Sequence, residues 1–205
     1  MSTPRAALGG LLALSALALA GCVGAGDTDA AFFDAVADAL CGRVVTGRVV
    51  STQAADADWR AQTLTLGPVA CGNDVVVTPD MPQRVGDALM VMPLAVGADA
   101  SRKWTLRLYE PGLEFRHYHY EPDSRPSDVT AYGGLALDGG TVRVQRFPAD
   151  AATQANFTAN GIARSNPNIW TLSLDPGAGT LTYALARPAT QTDEARDFRA
   201  VFDVR

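Results

Sequence analysis

The stretch KWTLRLYEPGLEFRHYHYE, residues 103–121, contains two runs of alternating apolar and polar side chains on either side of Pro111-Gly112. Alternation with a period of two predicts β-strands, because successive side chains point to opposite faces of a sheet. The short connection favours an antiparallel hairpin. A loop of two or four residues about Pro111-Gly112 gives these pairs: Leu108 with Phe115, Leu106 with His117, and Trp104 with His119.

Residues opposite each other share a face of the sheet, so this register separates an apolar face from a polar one. The apolar face contains Trp104, Leu106, Leu108, Leu113, Phe115, His117 and His119. The polar face contains Lys103, Thr105, Arg107, Tyr109, Glu114, Arg116, Tyr118 and Tyr120. We expect the apolar face to point inward and the polar face to point into solvent, which would screen Arg107 from Arg116.

The rest of the chain is dominated by short runs rich in β-branched and aromatic residues, separated by Gly, Pro, Asp and Asn. Such runs predict strands. The expected strands are residues 43–52, 61–70, 74–78, 88–93, 103–110, 113–120, 140–147, 169–174, 180–187 and 198–204. Many short strands with little helix between them indicate a mainly β fold, a single antiparallel β-barrel or sandwich, with a lipocalin-like architecture as one version.

Two helices are expected beside the strands. In AAFFDAVADALCG, residues 30–42, the large apolar side chains fall on one helical stripe, which predicts an N-terminal helix that packs on the body of the fold. A short inserted helix is expected over residues 149–161, because Pro148 and Asp150 are typical of a helix start and Gly161 of a helix end.

His117 and His119 are the two histidines of the chain, and three interpretations of the pair stay open. They could supply two nitrogens to zinc, with a third ligand from a carboxylate such as Glu121, Asp123 or Asp128. They could act as an acid or base, since imidazole titrates near neutral pH. We favour a third interpretation, neutral and hydrogen-bonded histidines in the upper core or in the wall of a binding cavity. The ligand-binding residues expected of that cavity are Trp104, Leu106, His117, His119 and Tyr132.

Charge and motifs narrow the class of function. The formal net charge of −5 argues against nucleic acid as a partner, because phosphates require a basic surface. The sequence contains no G-x-S-x-G, G-x-x-x-x-G-K-[ST], G-x-G-x-x-G or H-E-x-x-H motif. We therefore assign no catalytic residue and no cofactor apart from the zinc alternative, and we expect a binding role rather than catalysis.

The N-terminus has the pattern of an export signal, with Arg5 before an apolar run from Leu11 to Ala20. The end of the run, Leu19-Ala20-Gly21-Cys22, resembles the lipobox of bacterial lipoproteins. The resemblance implies cleavage before Cys22 and acylation of that residue. Because Val23 and not Asp follows, it also implies anchoring in the outer membrane. The sequence leaves open whether the domain faces the periplasm or the outside.

The expected domain organisation follows from this assignment. Residues 1–21 are the signal peptide, residues 22–29 a lipidated tether and residues 30–205 a single β-rich domain. Once Cys22 carries lipid, Cys41 and Cys71 remain of the three cysteines. We expect them to form a disulfide in the oxidising cell envelope.

Two further resemblances concern the mature chain. It is similar to a group of short exported bacterial proteins with no assigned activity. The similarity is carried by Leu40-Cys41-Gly42, Gly47-Arg48-Val49-Val50-Ser51-Thr52, Ser101-Arg102-Lys103-Trp104, His117-Tyr118-His119 and Tyr132-Gly133-Gly134. Lipocalins, whose closed sheet holds a small apolar ligand, are the second comparison. Their Gly-x-Trp motif is replaced here by Gly47-Arg48-Val49.

The function that these features favour is an outer-membrane lipoprotein without enzymatic activity. Its β domain is expected to bind a small apolar or amphipathic ligand, or a protein partner of the cell envelope. A metal-binding protein or metal-dependent hydrolase that uses His117 and His119 is one alternative. A purely structural or interaction protein is the other.

Overall fold

The computed structural model describes residues 25–72, 81 and 87–205. The predicted signal peptide, the lipidation site Cys22 and the predicted strand over residues 74–78 lie outside these residues. Three α-helices are described, together with short 3-10 turns at Ala54–Asp56 and Ala163–Ser165. The helices are α1 (Ala25–Leu40), α2 (Ala57–Arg60) and α3 (Ala151–Ala159). The strands are β1 (Val45–Val49), β2 (Leu64–Leu66), β3 (Ala70–Gly72), β4 (Ala88–Val96), β5 (Asp99–Tyr109), β6 (Gly112–His119), β7 (Tyr132–Leu135), β8 (Val144–Pro148), β9 (Ile169–Asp175), β10 (Thr180–Arg187) and β11 (Arg196–Asp203).

The strands form one antiparallel sheet that curves into a nearly closed barrel, which confirms the predicted mainly β fold. The strand order is β7-β6-β5-β4-β2-β1-β11-β10-β9-β8, and β3 pairs with β4 beside this path. The end strands β7 and β8 meet through two backbone bonds near their ends. The Leu137 N–H donates to the Arg146 carbonyl at 2.8 Å, and the Asp150 N–H donates to the Gly133 carbonyl at 3.0 Å.

The hairpin of β5 and β6 differs from the prediction by two residues in register. Trp104 is opposite His117, and Leu106 is opposite Phe115, because the turn is made by Glu110 and Pro111. The predicted pairs, Trp104 with His119 and Leu106 with His117, are therefore wrong. A shift of two residues leaves every side chain on its predicted face, since the side-chain period is also two.

Charge explains the observed register. It places Arg107 opposite Glu114 and brings the Arg107 guanidinium within 2.9 Å of that carboxylate. The predicted register would have placed Arg107 opposite Arg116, and like charges directly opposite each other destabilise a sheet. The real partner of Arg116 is again Glu114, at 2.9 Å, together with Asp150 from the start of α3.

The polar face of the hairpin is not open to solvent as predicted. Four of its side chains are buried: Thr105, Arg107, Glu114 and Tyr118. Tyr118 belongs to a second hydrophobic cluster outside the barrel, which also contains Met81, Leu89 and Val91. Sequence alternation identified the two faces correctly but could not reveal that distant residues cover the outer one.

Helix α1 lies across the end of the barrel that contains the β5–β6 turn. Its buried residues Phe32, Val36 and Leu40 belong to the main core. Near its start, the Asp29 carboxylate accepts a hydrogen bond from the Leu113 N–H at 3.1 Å. Because the helix begins at Ala25, residues 25–29 belong to it and not to the predicted tether. We call the end of the barrel that α1 covers the closed end, and the opposite end the mouth.

Two other elements differ from the predictions. The expected strand over residues 61–70 is interrupted at Gly67-Pro68, so that it contains β2 and the start of β3. Strand β7 was not predicted, because glycines are uncommon inside strands. Its Gly134 is required by close approach, since a Cβ there would overlap the carbonyl oxygen of Pro148. The inserted helix is present as α3, with the Asp150 side chain accepting a bond from the Thr153 N–H at its start.

The predicted disulfide joins Cys41 to Cys71, with a Cα–Cα distance of 5.7 Å. It connects the end of α1 to the edge strand β3. The backbone reinforces this connection, because the Gly42 N–H donates to the Val69 carbonyl at 2.8 Å. The helix at the closed end is therefore linked covalently to the sheet.

Loss of the disulfide should lower the free energy of unfolding substantially. The loop spans a sequence separation of 30 residues, and closure of a loop of this size restricts the unfolded chain by about 3 to 4 kcal/mol. We expect urea unfolding of the oxidised protein to shift by about this amount when dithiothreitol is added. The double variant Cys41→Ser/Cys71→Ser should show the lower stability and no response to the reductant. Equal stability of the oxidised and reduced protein would contradict the prediction.

Candidate functional site

A cavity of about 330 Å³ opens at the mouth of the barrel. It is bounded by side chains from β4, β5, β6, β7, β10 and β11 and by the connection between β1 and β2. The lining residues are Ala55, Asp56, Trp59, Leu94, Arg102, Trp104, His117, His119, Tyr132, Tyr183, Leu185, Arg196 and Phe198. The structure thus brings together four of the five predicted ligand-binding residues, Trp104, His117, His119 and Tyr132.

Leu106, the fifth predicted residue, is not part of the cavity wall. It is fully buried in the main core, two residues nearer the closed end than Trp104. Phe115 and Phe202, also fully buried, fill the same level of the barrel. The barrel interior is therefore solid below Trp104, and the cavity is a pocket at the mouth rather than a channel.

Aromatic rings form the floor and one wall of the cavity. Trp104 of β5 stacks on Tyr183 of β10, with ring centroids 4.5 Å apart and planes inclined by 15°. His117 of β6 stacks on Tyr132 of β7 at 4.8 Å and 8°. Since β5 and β10 are not neighbours in the sheet, the first stack joins opposite walls of the barrel.

The hydrogen bonds of His117 define its tautomer. Its Nδ1 lies 3.2 Å from the Tyr132 carbonyl oxygen, and a carbonyl can only accept, so Nδ1 carries the proton. Its Nε2 lies 3.0 Å from the Tyr183 hydroxyl and accepts from it. Burial lowers the pKa of His117 to about 3, although the bond to the Tyr132 carbonyl favours the charged form. This histidine is neutral at physiological pH.

Tyr183 is fixed between two polar partners. Burial, reinforced by the nearby Tyr132, raises the pKa of Tyr183 well above its ordinary value, and a hydrogen bond from Trp170 opposes that shift only in part. The hydroxyl therefore keeps its proton and donates it to His117. The resulting series of hydrogen bonds runs from Trp170 through Tyr183 and His117 to the Tyr132 carbonyl. It gives hydrogen-bond partners to polar groups that aromatic rings surround.

His119 lies nearer the rim and is half-buried. Its Nε2 is 3.0 Å from the Ser101 hydroxyl oxygen. The Ser101 hydroxyl donates to the Asp99 carboxylate, which helps to hold the pKa of Asp99 far below its ordinary value. The Ser101 oxygen thus accepts from His119, the reverse of the arrangement in which a histidine takes a proton from a nucleophilic serine. Burial and the Arg102 charge lower the pKa of His119.

The geometry gives no support to the zinc alternative. Both ring nitrogens of His117 are already engaged by Tyr132 and Tyr183. Within the described ranges, no group of three or more His, Cys, Asp or Glu residues is placed to hold a metal ion. Asp123, one of the carboxylates proposed as a third ligand, pairs instead with Arg125 at 2.6 Å.

Residues 51–60, which we call the cover segment, extend over one side of the mouth. Asp56 at its centre is completely enclosed and pairs with Arg196 of β11. The Ser51 hydroxyl also donates to the Asp56 carboxylate, at 2.6 Å, and Arg196 donates to Gln53 at 2.7 Å. Burial disfavours the Asp56 charge, but the bonds from Arg196 and Ser51 outweigh it and hold the pKa of this carboxyl below its ordinary value. The cover segment is thus fastened to the barrel wall.

Trp59 brings the cover segment into contact with Arg102 on the opposite side of the mouth. The Arg102 guanidinium lies over the Trp59 ring, 5.1 Å from its centroid, and the Phe198 ring is nearly perpendicular to that ring, with centroids 5.5 Å apart. Arg102 also donates to Asp99. A more open depression of about 680 Å³ continues along the rim past Ser101, Lys103 and Glu121, and His119 borders both spaces.

The sequence prediction missed several lining residues. Arg102 has a clear signal, because it is two residues before Trp104 and so belongs to the inward face, but the predicted strand began at residue 103, whereas β5 begins at Asp99. Tyr183 and Phe198 also lie in strands whose side chains alternate in direction, yet only the order of the strands in the sheet shows that these strands are opposite Trp104. Asp56 and Trp59 lie in an irregular connection, where no periodicity identifies an inward side chain.

Comparisons of the chain with protein-family models, with curated protein sequences and with solved structures found no match. Among the described helices, none has both the length and the apolar character required to cross a membrane.

The depressed pKa of His117 should make the stability of the fold depend on pH. The unfolded chain takes up a proton at this residue near pH 6.5, whereas the folded chain does so only near pH 3. The unfolded state therefore binds more protons between these values, and the free energy of unfolding should fall as the pH falls through this window. The slope from this side chain approaches about 1.4 kcal/mol per pH unit.

Urea unfolding at a series of pH values measures this slope. His117→Gln should remove its contribution, whereas His119→Gln, at the more exposed position, should retain most of it. Nitrogen-15 NMR should also show His117 protonated at Nδ1 alone down to about pH 4, since its pKa is near 3. A His117 ring that titrates near pH 6.5 would show that the assigned burial is wrong.

Proposed function

We propose that this protein is a bacterial lipoprotein, attached to the outer membrane through acylated Cys22, whose barrel binds a small amphipathic ligand. The observation that supports the binding role is the cavity of about 330 Å³ at the mouth. Its volume is at the lower end of the range of about 300 to 1,000 Å³ for small-molecule sites. Such sites are mostly apolar with a few polar groups, and this cavity has the same composition.

The polar groups of the wall support a ligand because several of them lack protein partners. Trp104 is only 4% exposed, yet in the described part of the chain its indole N–H makes no hydrogen bond. The Tyr132 hydroxyl likewise has none to any described residue. Neither atom belongs to the fully enclosed polar atoms of the described residues, so water or a bound molecule can reach it and supply the partner that tryptophan and tyrosine usually have.

The structure of the mouth also favours a small molecule over a large partner. The fully buried side chains below Trp104 limit the depth of the cavity, and the fastened cover segment limits its width. Trp59 and Phe198 present apolar surface toward the interior rather than outward. A protein partner would contact the rim, whereas a compact ligand could contact the aromatic floor.

The lipid anchor is supported by the lipobox resemblance at Leu19-Ala20-Gly21-Cys22. It is also compatible with the cysteine pairing, because the disulfide between Cys41 and Cys71 leaves Cys22 as the remaining cysteine. Several acyl chains on one residue give stable membrane attachment, which a single chain does not.

Replacement of Cys22 should release the protein from the membrane. In cells of a diderm bacterium fed an alkyne analogue of palmitate, the parent protein should carry the label and sediment with outer membranes. Cys22→Ser should lose the label and no longer sediment with them, because that thiol is the attachment point. Cys71→Ser is the matched control, and it should lose the disulfide but retain the label. An unlabelled parent protein, or a labelled Cys22→Ser variant, would refute the anchor.

Filling the cavity should abolish ligand binding. Native mass spectrometry of protein isolated from its own envelope should show an additional bound mass of a small molecule. Ala55 lines the cavity from the cover segment, so Ala55→Trp should remove the bound mass by placing an indole in that space. Ala57→Trp is the matched control, because Ala57 is exposed on the same segment and does not line the cavity. A parent protein without any bound mass, or equal occupancy in both variants, would favour a structural role.

A further inference from the structure

We infer that the ligand of the mouth cavity is an organic acid, with a planar apolar body and one carboxylate that pairs with Arg102. This inference rests on the proposed binding function and adds the chemical class of the ligand. It depends on the type of polar group left over in the wall, on the charges at the wall and on the shape of the aromatic surfaces.

The polar groups without protein partners are mainly hydrogen-bond donors. The indole N–H of Trp104 can only donate. Arg102 makes one bond, from Nη1 to Asp99, and its other guanidinium N–H groups make none with any residue of the described ranges. An arginine has five such N–H groups and no acceptor. A ligand that satisfies this wall must therefore supply acceptor oxygens.

The charges of the wall also favour an anion. Three ionised side chains line the cavity, Arg102, Arg196 and Asp56, and His117 is neutral because its pKa is about 3. Arg196 and Asp56 neutralise each other through their direct pair. Arg102 is then the charge without a counterion inside the cavity, since Asp99 lies outside the wall with its side chain 49% exposed. Solvent screens such an exposed partner.

The Arg102 guanidinium is held in a defined orientation. Its contact with Asp99 and its stacking over Trp59 fix the side chain from two sides. A planar guanidinium matches the two oxygens of a carboxylate through parallel hydrogen bonds. A cationic ligand would instead place a second positive charge beside Arg102, although aromatic rings attract cations in other settings.

The aromatic surfaces favour a planar body. Trp104 and Tyr183 are stacked on each other at the floor, and Trp59 lines the cavity from the cover segment. Rings prefer offset stacking or edge contacts with other rings. A flat apolar body between floor and cover segment would bury its faces while its carboxylate reached Arg102 at the rim.

Three probes of similar size test the inference: naphthalene-2-carboxylate, its isostere naphthalene-2-carboxamide, and 2-naphthylmethylammonium. The full protein is reconstituted in phosphatidylcholine nanodiscs, and affinities are measured by titration calorimetry against empty nanodiscs. We expect the carboxylate to bind at least about tenfold more tightly than the carboxamide, a difference of about 1.4 kcal/mol. The ammonium probe should bind most weakly of the three.

Two variants connect the preference to one side chain. Arg102→Gln should reduce the difference between carboxylate and carboxamide to about twofold or less, and Arg102→Lys should retain part of it. Arg199→Gln is the matched control, because Arg199 is an exposed arginine of β11 that does not line the cavity. It changes the net charge equally and should preserve the full preference. Circular dichroism and unfolding curves check that each variant is folded.

The outcomes separate this inference from the proposed function. If none of the probes binds and no ligand is found on the native protein, the binding function itself fails. If the three probes bind with equal affinity, the cavity does not select for a carboxylate. If folded Arg102→Gln keeps the tenfold preference, the selection does not come from Arg102. In either case the inference is overturned and the binding function stands.

Discussion

The stack of Trp104 on Tyr183 is the contact on which the interior of the barrel depends. It connects β5 to β10, two strands on opposite walls, at a centroid distance of 4.5 Å. Trp104 also meets Phe202 of β11 at 5.9 Å and Phe115 of β6 at 5.8 Å. Below this ring the side chains form a continuous core, and above it the walls separate. Trp104 therefore forms the boundary between the core and the cavity, so that the packing of the core determines how deep the cavity is.

The hydrogen-bonded groups of the site lie around the Trp104 ring. Tyr183 holds its hydroxyl toward His117 while its ring supports Trp104, so a single tyrosine orders both the stack and the neutral histidine. The two histidines have different environments although a single residue separates them in the sequence. His117 is enclosed by rings, whereas His119 reaches the rim and bonds to Ser101. To bind a metal through its unprotonated Nε2, His117 would have to give up the hydrogen bond from the Tyr183 hydroxyl, which is costly inside a core.

The sequence predicted the faces of the site better than its details, for a physical reason. Alternation along residues 103–120 depends only on parity, so the inward direction of Trp104 and His117 was predicted correctly even though the register was wrong by two residues. The register depends on cross-strand pairs such as Arg107 with Glu114, which sequence alternation does not reveal. Asp56 and Arg196 are 140 residues apart in the chain, and their pair became visible only with the topology. Leu106 points inward as Trp104 does, because the two residues are an even number of positions apart. It lies nearer the closed end, below the cavity, and alternation does not reveal that depth.

The position of α1 has a consequence for how a ligand would be exchanged. The helix lies at the closed end, where Asp29 bonds to Leu113, and the proposed acylated residue Cys22 lies just before its first residue Ala25. An anchor there would hold the closed end toward the bilayer and leave the mouth on the far side of the domain. A ligand would then be captured from the aqueous phase or received from another protein, rather than drawn directly out of the lipid layer. The membrane would serve to localise the protein, and the solution beyond it would be the source of what the barrel binds.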